Sequence, residues 1–284
     1  MPAIRELDVG QIRDVVAKLC REATHILPDD VVGALKRARE REESPLAQQV
    51  LGEILENVAL AAREMLPLCQ DTGTTVVFMD LGQDVHLTGG DLYTAINQGV
   101  GQGYTENYLR ASMVQDPIFS RVNTKDNTPA VVHLELVPGD KVNIKVVPKG
   151  GGCENMSRYT NLLPGAGKEG VTDFVLRAVE ESSGNPCPPV IVGVGVGGTA
   201  EYAMALAKKA ITRRIGQRSP ELQVAALEEE LLEKVNALGI GPQAVGGRNT
   251  ALDVFIETFP THITSLHVAV NLQCHSARSK EAVV

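Results

Sequence analysis

Five cysteines, Cys20, Cys69, Cys153, Cys187 and Cys274, are the residues of this 284-residue chain with the widest chemical reach. Their number is odd and they lie far apart, which does not suit a disulfide framework, so they read as free thiols or thiolate ligands. Three of them fall where regular structure breaks. Cys69 lies in Leu66-Pro67-Leu68-Cys69-Gln70-Asp71-Thr72-Gly73, Cys187 in Asn185-Pro186-Cys187-Pro188-Pro189, and Cys274 just after the apolar run Leu266 to Leu272. Thiolates converging at strand ends would suit a soft metal or an iron-sulfur cluster, but such wide separations match none of the compact zinc or ferredoxin patterns. Cys20, by contrast, sits on the apolar stripe of a helix and reads as a buried structural thiol.

Two glycine-rich stretches open further possibilities. Lys149-Gly150-Gly151-Gly152-Cys153-Glu154 follows a strand and is either an anion-binding nest or a bare turn. Gly193-Val194-Gly195-Val196-Gly197-Gly198 fits the G-x-G-x-x-G pattern between a strand and a helix, which keeps a dinucleotide-binding or redox-sensing protein as a rival class. Against it, the expected second parallel strand with an acidic end is replaced by Arg213-Arg214-Ile215-Gly216-Gln217-Arg218-Ser219-Pro220. The histidines show no zinc spacing. His133 and His267 lie inside strand patterns and read as structural, whereas His262 lies in a loop and is an acid/base candidate. His275 adjoins Cys274.

The elements that must position these groups are legible from periodicity. The first sixty residues predict three helices: Asp8 to Ala23, a second opened by Leu27-Pro28-Asp29-Asp30, and a third opened by Ser44-Pro45. Beyond Leu66 come strands at Thr74 to Met79, Val131 to Val137, Val142 to Val147, Val190 to Val196, Ala251 to Phe259 and Leu266 to Leu272. Pro138-Gly139-Asp140 predicts that the second and third of these strands form a hairpin. Helices are expected from Asp91 toward Arg110, over Thr172 to Glu181, Ala200 to Ile215, and Glu221 to Leu238. The expected class is α/β (mixed α+β), with a helical N-terminal subdomain over 1–65 packed on a mixed-sheet catalytic body over 66–284.

Composition narrows the function. Residues are 43% hydrophobic and 22% charged, an ordinary globular balance. The charge is −8, Trp is absent, and Tyr and Phe number five each, so the basic stripe and stacking aromatics of nucleic-acid binding are missing. No apolar run is long enough for a membrane span, and Met1-Pro2-Ala3-Ile4-Arg5-Glu6-Leu7-Asp8 lacks the charged start and apolar stretch of a signal peptide, which predicts a soluble, cytoplasmic protein.

Taken together, Cys69-Gln70-Asp71-Thr72-Gly73, Glu106-Asn107-Tyr108-Leu109-Arg110, Val122-Asn123-Thr124, Lys149-Gly150-Gly151-Gly152, Cys187-Pro188-Pro189 and the Cys274 segment resemble the α subunit of the two-subunit, oxygen-sensitive class I fumarate hydratases. The same family contains L-tartrate dehydratase. The resemblance covers nearly the whole chain and implies a [4Fe-4S] cluster held by Cys69, Cys187 and Cys274, with one iron lacking a protein ligand and acting as Lewis acid. It further implies that Gln70, Asp71, Arg110 and Gly152 contact a dicarboxylate, that Asp71 takes part in proton transfer, and that His262 stands near the substrate. Where this chain has Cys153 several fumarases carry serine, which argues against a required ligand there. Glu154-Asn155-Met156-Ser157 and Leu109-Arg110-Ala111-Ser112 look closer to fumarases than to tartrate dehydratase, so fumarate/L-malate interconversion in the tricarboxylic acid cycle is expected, with tartrate or mesaconate-type dehydration as the alternative. Single-chain members carry a further C-terminal domain; here the chain stops at Val284, so a separate β subunit is expected to complete the site in a hetero-oligomer.

Overall fold

The structure is a computed structural model and describes residues 4–284; Met1-Pro2-Ala3, on which part of the signal-peptide expectation rests, lie outside the described residues. Along the chain come β1 (Arg5–Asp8), α1 (Val9–His25), α2 (Asp29–Arg41), α3 (Pro45–Glu64), β2 (Thr74–Gly82), β3 (Val85–Thr88), α4 (Leu92–Glu106), β4 (Val131–Val137) and β5 (Val142–Lys149). They are followed by α5 (Gly151–Glu154), β6 (Arg158–Leu162), α6 (Gly167–Ser182), β7 (Val190–Gly197), α7 (Ala200–Ala210), α8 (Leu222–Ala237), β8 (Ala251–Phe259), β9 (Leu266–Gln273) and β10 (Lys280–Val283). The α/β class expected from periodicity is what the chain forms. Its contacts separate into two compact units, neither continuous in sequence.

The first unit takes the described residues up to Pro28 together with Leu60–Gly151 and Arg278–Val284. Its sheet has the order β10-β5-β2-β4, with β2 parallel to β4 and antiparallel to β5. The hairpin expected at Pro138-Gly139-Asp140 is therefore corrected: β2 lies between β4 and β5, and the 138–141 connection bridges across it. A turn signal marks where the chain reverses but not whether another strand enters the gap. Helix α1 is capped by the Asp8 carboxylate, which accepts from the Gly10 N–H at 2.7 Å, and buries Ile12, Val16, Leu19 and Cys20. Helix α4, capped by Asp91 at the Thr94 N–H, lies close against α1 because Gly99 and Gly103 face it: a Cβ on Gly103 would stand 2.8 Å from that of Cys20.

The second unit takes Asp29–Ala59 and Gly152–Ala277. Its sheet runs β6-β9-β7-β8, with β7 parallel to β8 and antiparallel to β9. Val192 and Val194 of β7 meet Val175 and Val179 of α6 and Leu231 and Val235 of α8 in one core, while α7 packs its Ala203 and Ala207 on the other face against Ala269. Compactness thus follows lines other than a division at residue 65, since α1 belongs to the first unit and α2 with most of α3 to the second. Helix α7 ends at Ala210 rather than Ile215; the chain turns at Gly216, φ +88°, and sends Arg213 and Arg218 inward to the buried Glu228 and Asp253.

Candidate functional site

In the first unit the candidate residues gather on the loop that runs from α3 into β2. Leu68 anchors it by burial and by its N–H to the Thr24 carbonyl at 2.9 Å, leaving Cys69 half-buried and Gln70 exposed. The Asp71 carboxylate then accepts two main-chain N–H groups, Gly73 at 3.0 Å and Gly151 at 2.7 Å. Gly73 must be glycine twice over: its φ is +76°, and a Cβ would stand 2.6 Å from the Lys149 backbone. Thr72 turns its hydroxyl to the Arg110 carbonyl at 2.6 Å, which ties the segment carrying Arg110 to the same loop. The Arg110 side chain is exposed, as a clamp for an external carboxylate must be.

The second unit assembles the other candidates around the Cys187 loop. Cys187 is exposed with φ +55°, in a turn closed by its N–H to the Gly184 carbonyl at 3.0 Å. Its carbonyl accepts from the His275 N–H at 3.3 Å and lies 3.0 Å from His275 Nδ1, while Gln243 reaches Pro188 O at 2.8 Å and His275 Nδ1 at 3.1 Å. The loops of Cys187 and Cys274 are thereby laced together. Gly152 joins them, since a Cβ there would stand 3.1 Å from the Asn185 carbonyl, and the buried Cys153 thiol lies 3.7 Å from Gln273 Oε1. Within the glycine-rich stretch Gly151–Glu154 form a single helical turn.

His262 is exposed on the loop between β8 and β9. Its Nδ1 lies 2.8 Å from the Thr264 hydroxyl and receives the Thr264 N–H at 3.3 Å, so Nδ1 is the acceptor and a neutral ring carries its proton on Nε2. The ring lines a largely apolar cavity of about 520 Å³ with Gly198, Thr199, Tyr202, Phe259 and His267. His267, expected to be structural, lies 2.8 Å from the Tyr159 hydroxyl through Nδ1, and His133 stacks on Phe78 at 4.9 Å.

The G-x-G-x-x-G stretch has a packing explanation. A Cβ on Gly193 would collide with the Ala207 carbonyl and one on Gly195 with the Ala203 carbonyl, so these glycines let the α7 backbone lie on β7. Gly197 and Gly198 have φ of +95° and +65° and make the turn into α7. A parallel neighbour for β7 does exist, but it is β8, reached only after α8.

The five thiols divide by environment. Cys20 is fully buried, and desolvation pushes its pKa up to about 12, so it stays a protonated core side chain. Cys153 is also buried, whereas Cys69 and Cys274 are half-buried and Cys187 is exposed. Among the described residues no three Cys, His, Asp or Glu side chains are grouped as ligands for a single metal ion. The donor chemistry of Cys69, Cys187 and Cys274, three accessible thiols on loops at strand or helix ends, nevertheless fits an iron-sulfur cluster, whose metal atoms are spread over several positions. Sequence reasoning missed Gln243 and Arg278, which brace these loops and belong to no motif.

Comparison with known proteins bears on the whole chain. The family described as fumarate hydratase (Fumerase) matches residues 13–283. A Methanocaldococcus jannaschii protein provisionally named L(+)-tartrate dehydratase subunit alpha is 41% identical over 274 residues, 94% of this chain and 95% of its own length. The L(+)-tartrate dehydratase subunit alpha of Escherichia coli K12 is 35% identical, over 95% of this chain and 89% of that protein. A match over 13–283 leaves almost nothing of either unit outside it, and the chain belongs to the fumarate hydratase (Fumerase) family of hydro-lyases, alongside the α subunits of L-tartrate dehydratases.

Proposed function

We propose that this chain is the cytoplasmic α subunit of a [4Fe-4S]-dependent hydro-lyase that interconverts a four-carbon dicarboxylate and its hydrated form. Fumarate with L-malate is one substrate pair, and L-tartrate with its dehydration product is the other at equal weight, because the matching family is described as fumarate hydratase while the two relatives named above bear the tartrate name. The observation that carries the reading is the division of the thiols: Cys69, Cys187 and Cys274 lie outside the cores, while Cys20 and Cys153 are buried. Those three would hold the cluster, which when bound supplies a Lewis-acidic iron.

Most of the remaining roles fall to groups of this chain. Arg110 clamps one carboxylate with its planar fork, Gln70 donates to the substrate, and Gly152 lets the main chain approach it without a side chain in the way. In the dehydration direction Asp71 accepts the proton from the carbon beside the remote carboxylate, while the C–O bond breaks and the C=C bond forms. The departing hydroxyl takes its proton from a protonated acid, so that water leaves rather than hydroxide; the expected donor, His262, lies at the end of β9 away from Cys274, so the β subunit would supply this acid. A separate β subunit would supply the rest of the site, in line with the subunit names of the relatives.

Anaerobic co-expression with a candidate β subunit, followed by iron and sulfide analysis and by assays with L-malate, fumarate, L-tartrate and mesaconate, tests this. Iron-loaded complex active on one of these pairs is the expected result and names the substrate. A loaded complex inactive on all of them, or tight binding of a nicotinamide dinucleotide by an iron-free chain, would overturn it.

A further inference from the structure

Arg278 is the largest fully buried side chain among the described residues, 1% exposed, and it stands where the chain re-enters the first unit just before β10. Its Nη1 donates to the Asp71 carbonyl at 2.7 Å. Among the described residues its enclosed Nε has no hydrogen-bond partner and its guanidinium forms no ion pair. The partly buried arginines of the second unit behave differently: Arg213 meets Glu228 at 2.7 Å, and Arg218 is paired with Asp253. A guanidinium removed from water without a counter-charge is costly, so its retention calls for something that repays it.

The surroundings say what that is. Three successive carbonyls of the loop are each held by a donor from below: Asp71 by Arg278, Thr72 by the Tyr104 hydroxyl at 2.7 Å, and Gly73 by Asn127 Nδ2 at 3.0 Å. Burial pushes the Tyr104 phenol above its ordinary range, so it remains a neutral donor, and Asn127 is neutral by nature. Neutral groups suffice to hold Thr72 and Gly73. Only the residue beneath Asp71 brings a full charge, and Asp71 is the member of the loop with a carboxylate, fixed by Gly73 and Gly151.

We infer that Arg278 is a positioning residue for Asp71: it fixes the main chain of the 69–73 loop and provides the buried positive charge that balances the Asp71 carboxylate and the anions this loop would meet. The structural half of this needs only the present contacts, while the balancing of bound anions rests on the proposed function. Arg278 itself need touch neither substrate nor cluster. Both Lys and Gln at 278 shorten the donor, but Lys keeps the charge and Gln does not.

Hydrogen exchange on the chain as expressed, without substrate or cluster, separates the halves. In Arg278→Gln the amides of Gly73 and Gly151 are expected to exchange about tenfold faster or more, with β7 to β9 unchanged, and Arg278→Lys is expected to recover part of the protection. In loaded complex, Arg278→Gln should lower kcat per intact cluster about tenfold with KM little changed, again partly rescued by Arg278→Lys. Unchanged exchange at Gly73 and Gly151 would overturn the positioning role, as would general exchange throughout the chain in both variants, which would make Arg278 ordinary core. Altered exchange with a normal kcat per cluster would remove the electrostatic half. Wild-type complex loaded yet inactive on every dicarboxylate would refute the proposed function while leaving the exchange result to decide the positioning role by itself.

Discussion

A thiol becomes a ligand only as a thiolate, and environment sorts the five cysteines accordingly. Cys20, with its pKa pushed up to about 12, contributes to the α1 core, so Cys20→Ser is expected to weaken packing and leave iron loading intact. Cys69→Ser, Cys187→Ser and Cys274→Ser are each expected to lose stable cluster, and full iron and sulfide content in any one would remove it from the ligand set. Asp71 needs more care. Both its oxygens accept N–H groups, and an amide can present only one oxygen, so Asp71→Asn sets an NH₂ against Gly73 or Gly151. The variant is therefore expected to loosen the loop as well as to lower kcat per cluster, by roughly a hundredfold if the carboxylate carries the proton. A normal kcat per cluster would leave Asp71 a brace only. That Cys69, Cys187 and Cys274 lie outside the cores was legible in the sequence because prolines and sheet ends flank them. Arg278 was not, because an arginine six residues from the end reads as a solvated charge until its burial is seen.

Elements owe their close approaches to glycines whose purpose a motif search misassigns. Gly195 looked like part of a nucleotide fingerprint, yet its missing side chain is where the Ala203 carbonyl of α7 lies. Gly195→Ala should destabilise the protein by about 1–3 kcal/mol through overpacking, read as a lower urea midpoint. A midpoint shift near zero would mean that α7 is free to move off the sheet. Connections between elements carry charge in the same way. Glu42, buried after α2, accepts from Asn249 Nδ2 at 2.6 Å and from the N–H groups of Arg248, Ser44 and Glu43. Burial opposes its ionisation, but these hydrogen bonds prevail and hold its pKa below the ordinary value. A depressed folded pKa gives stability that is present above the unfolded value and is lost as pH falls through the folded one. Glu42→Gln should thus cost about 1–3 kcal/mol at neutral pH, and the gap from wild type should narrow in acid; a constant gap would show that the carboxylate charge is not what matters. The long helices and the six longer strands were readable here from period, whereas the short β1, β3, β6 and β10 were not, and neither was the β4/β5 pairing, because strand order is decided by packing that no local turn encodes.

At the scale of the whole molecule the chain is interleaved: it passes from one unit to the other at Pro28/Asp29, Ala59/Leu60, Gly151/Gly152 and Ala277/Arg278. Composition and periodicity identified the class but not this interleaving, since a helical run at the N-terminus invites division at its end. Core membership argues otherwise. Ile12, Val16 and Leu19 of α1 are buried with Val77 of β2, Ile96 of α4 and Ile144 of β5. Each such side chain contributes roughly 1.5–3 kcal/mol on burial, so losing three of them removes stabilisation on the order of 5–9 kcal/mol. That is comparable with the whole net stability of an ordinary domain, about 5–15 kcal/mol. The same cut removes from the second unit the Glu42 contacts to Arg248 and Asn249 and the Asp30 carboxylate that accepts the Ile215 N–H at 2.8 Å. Residues 66–284 expressed alone should therefore fail to reach a native state, giving aggregated material or a compact chain without near-UV dichroism and without a cooperative urea transition. Were 66–284 to fold cooperatively and keep its sheets, the N-terminal helices would be a separable subdomain after all, and the cores of both units would owe α1, α2 and α3 far less than their burial implies.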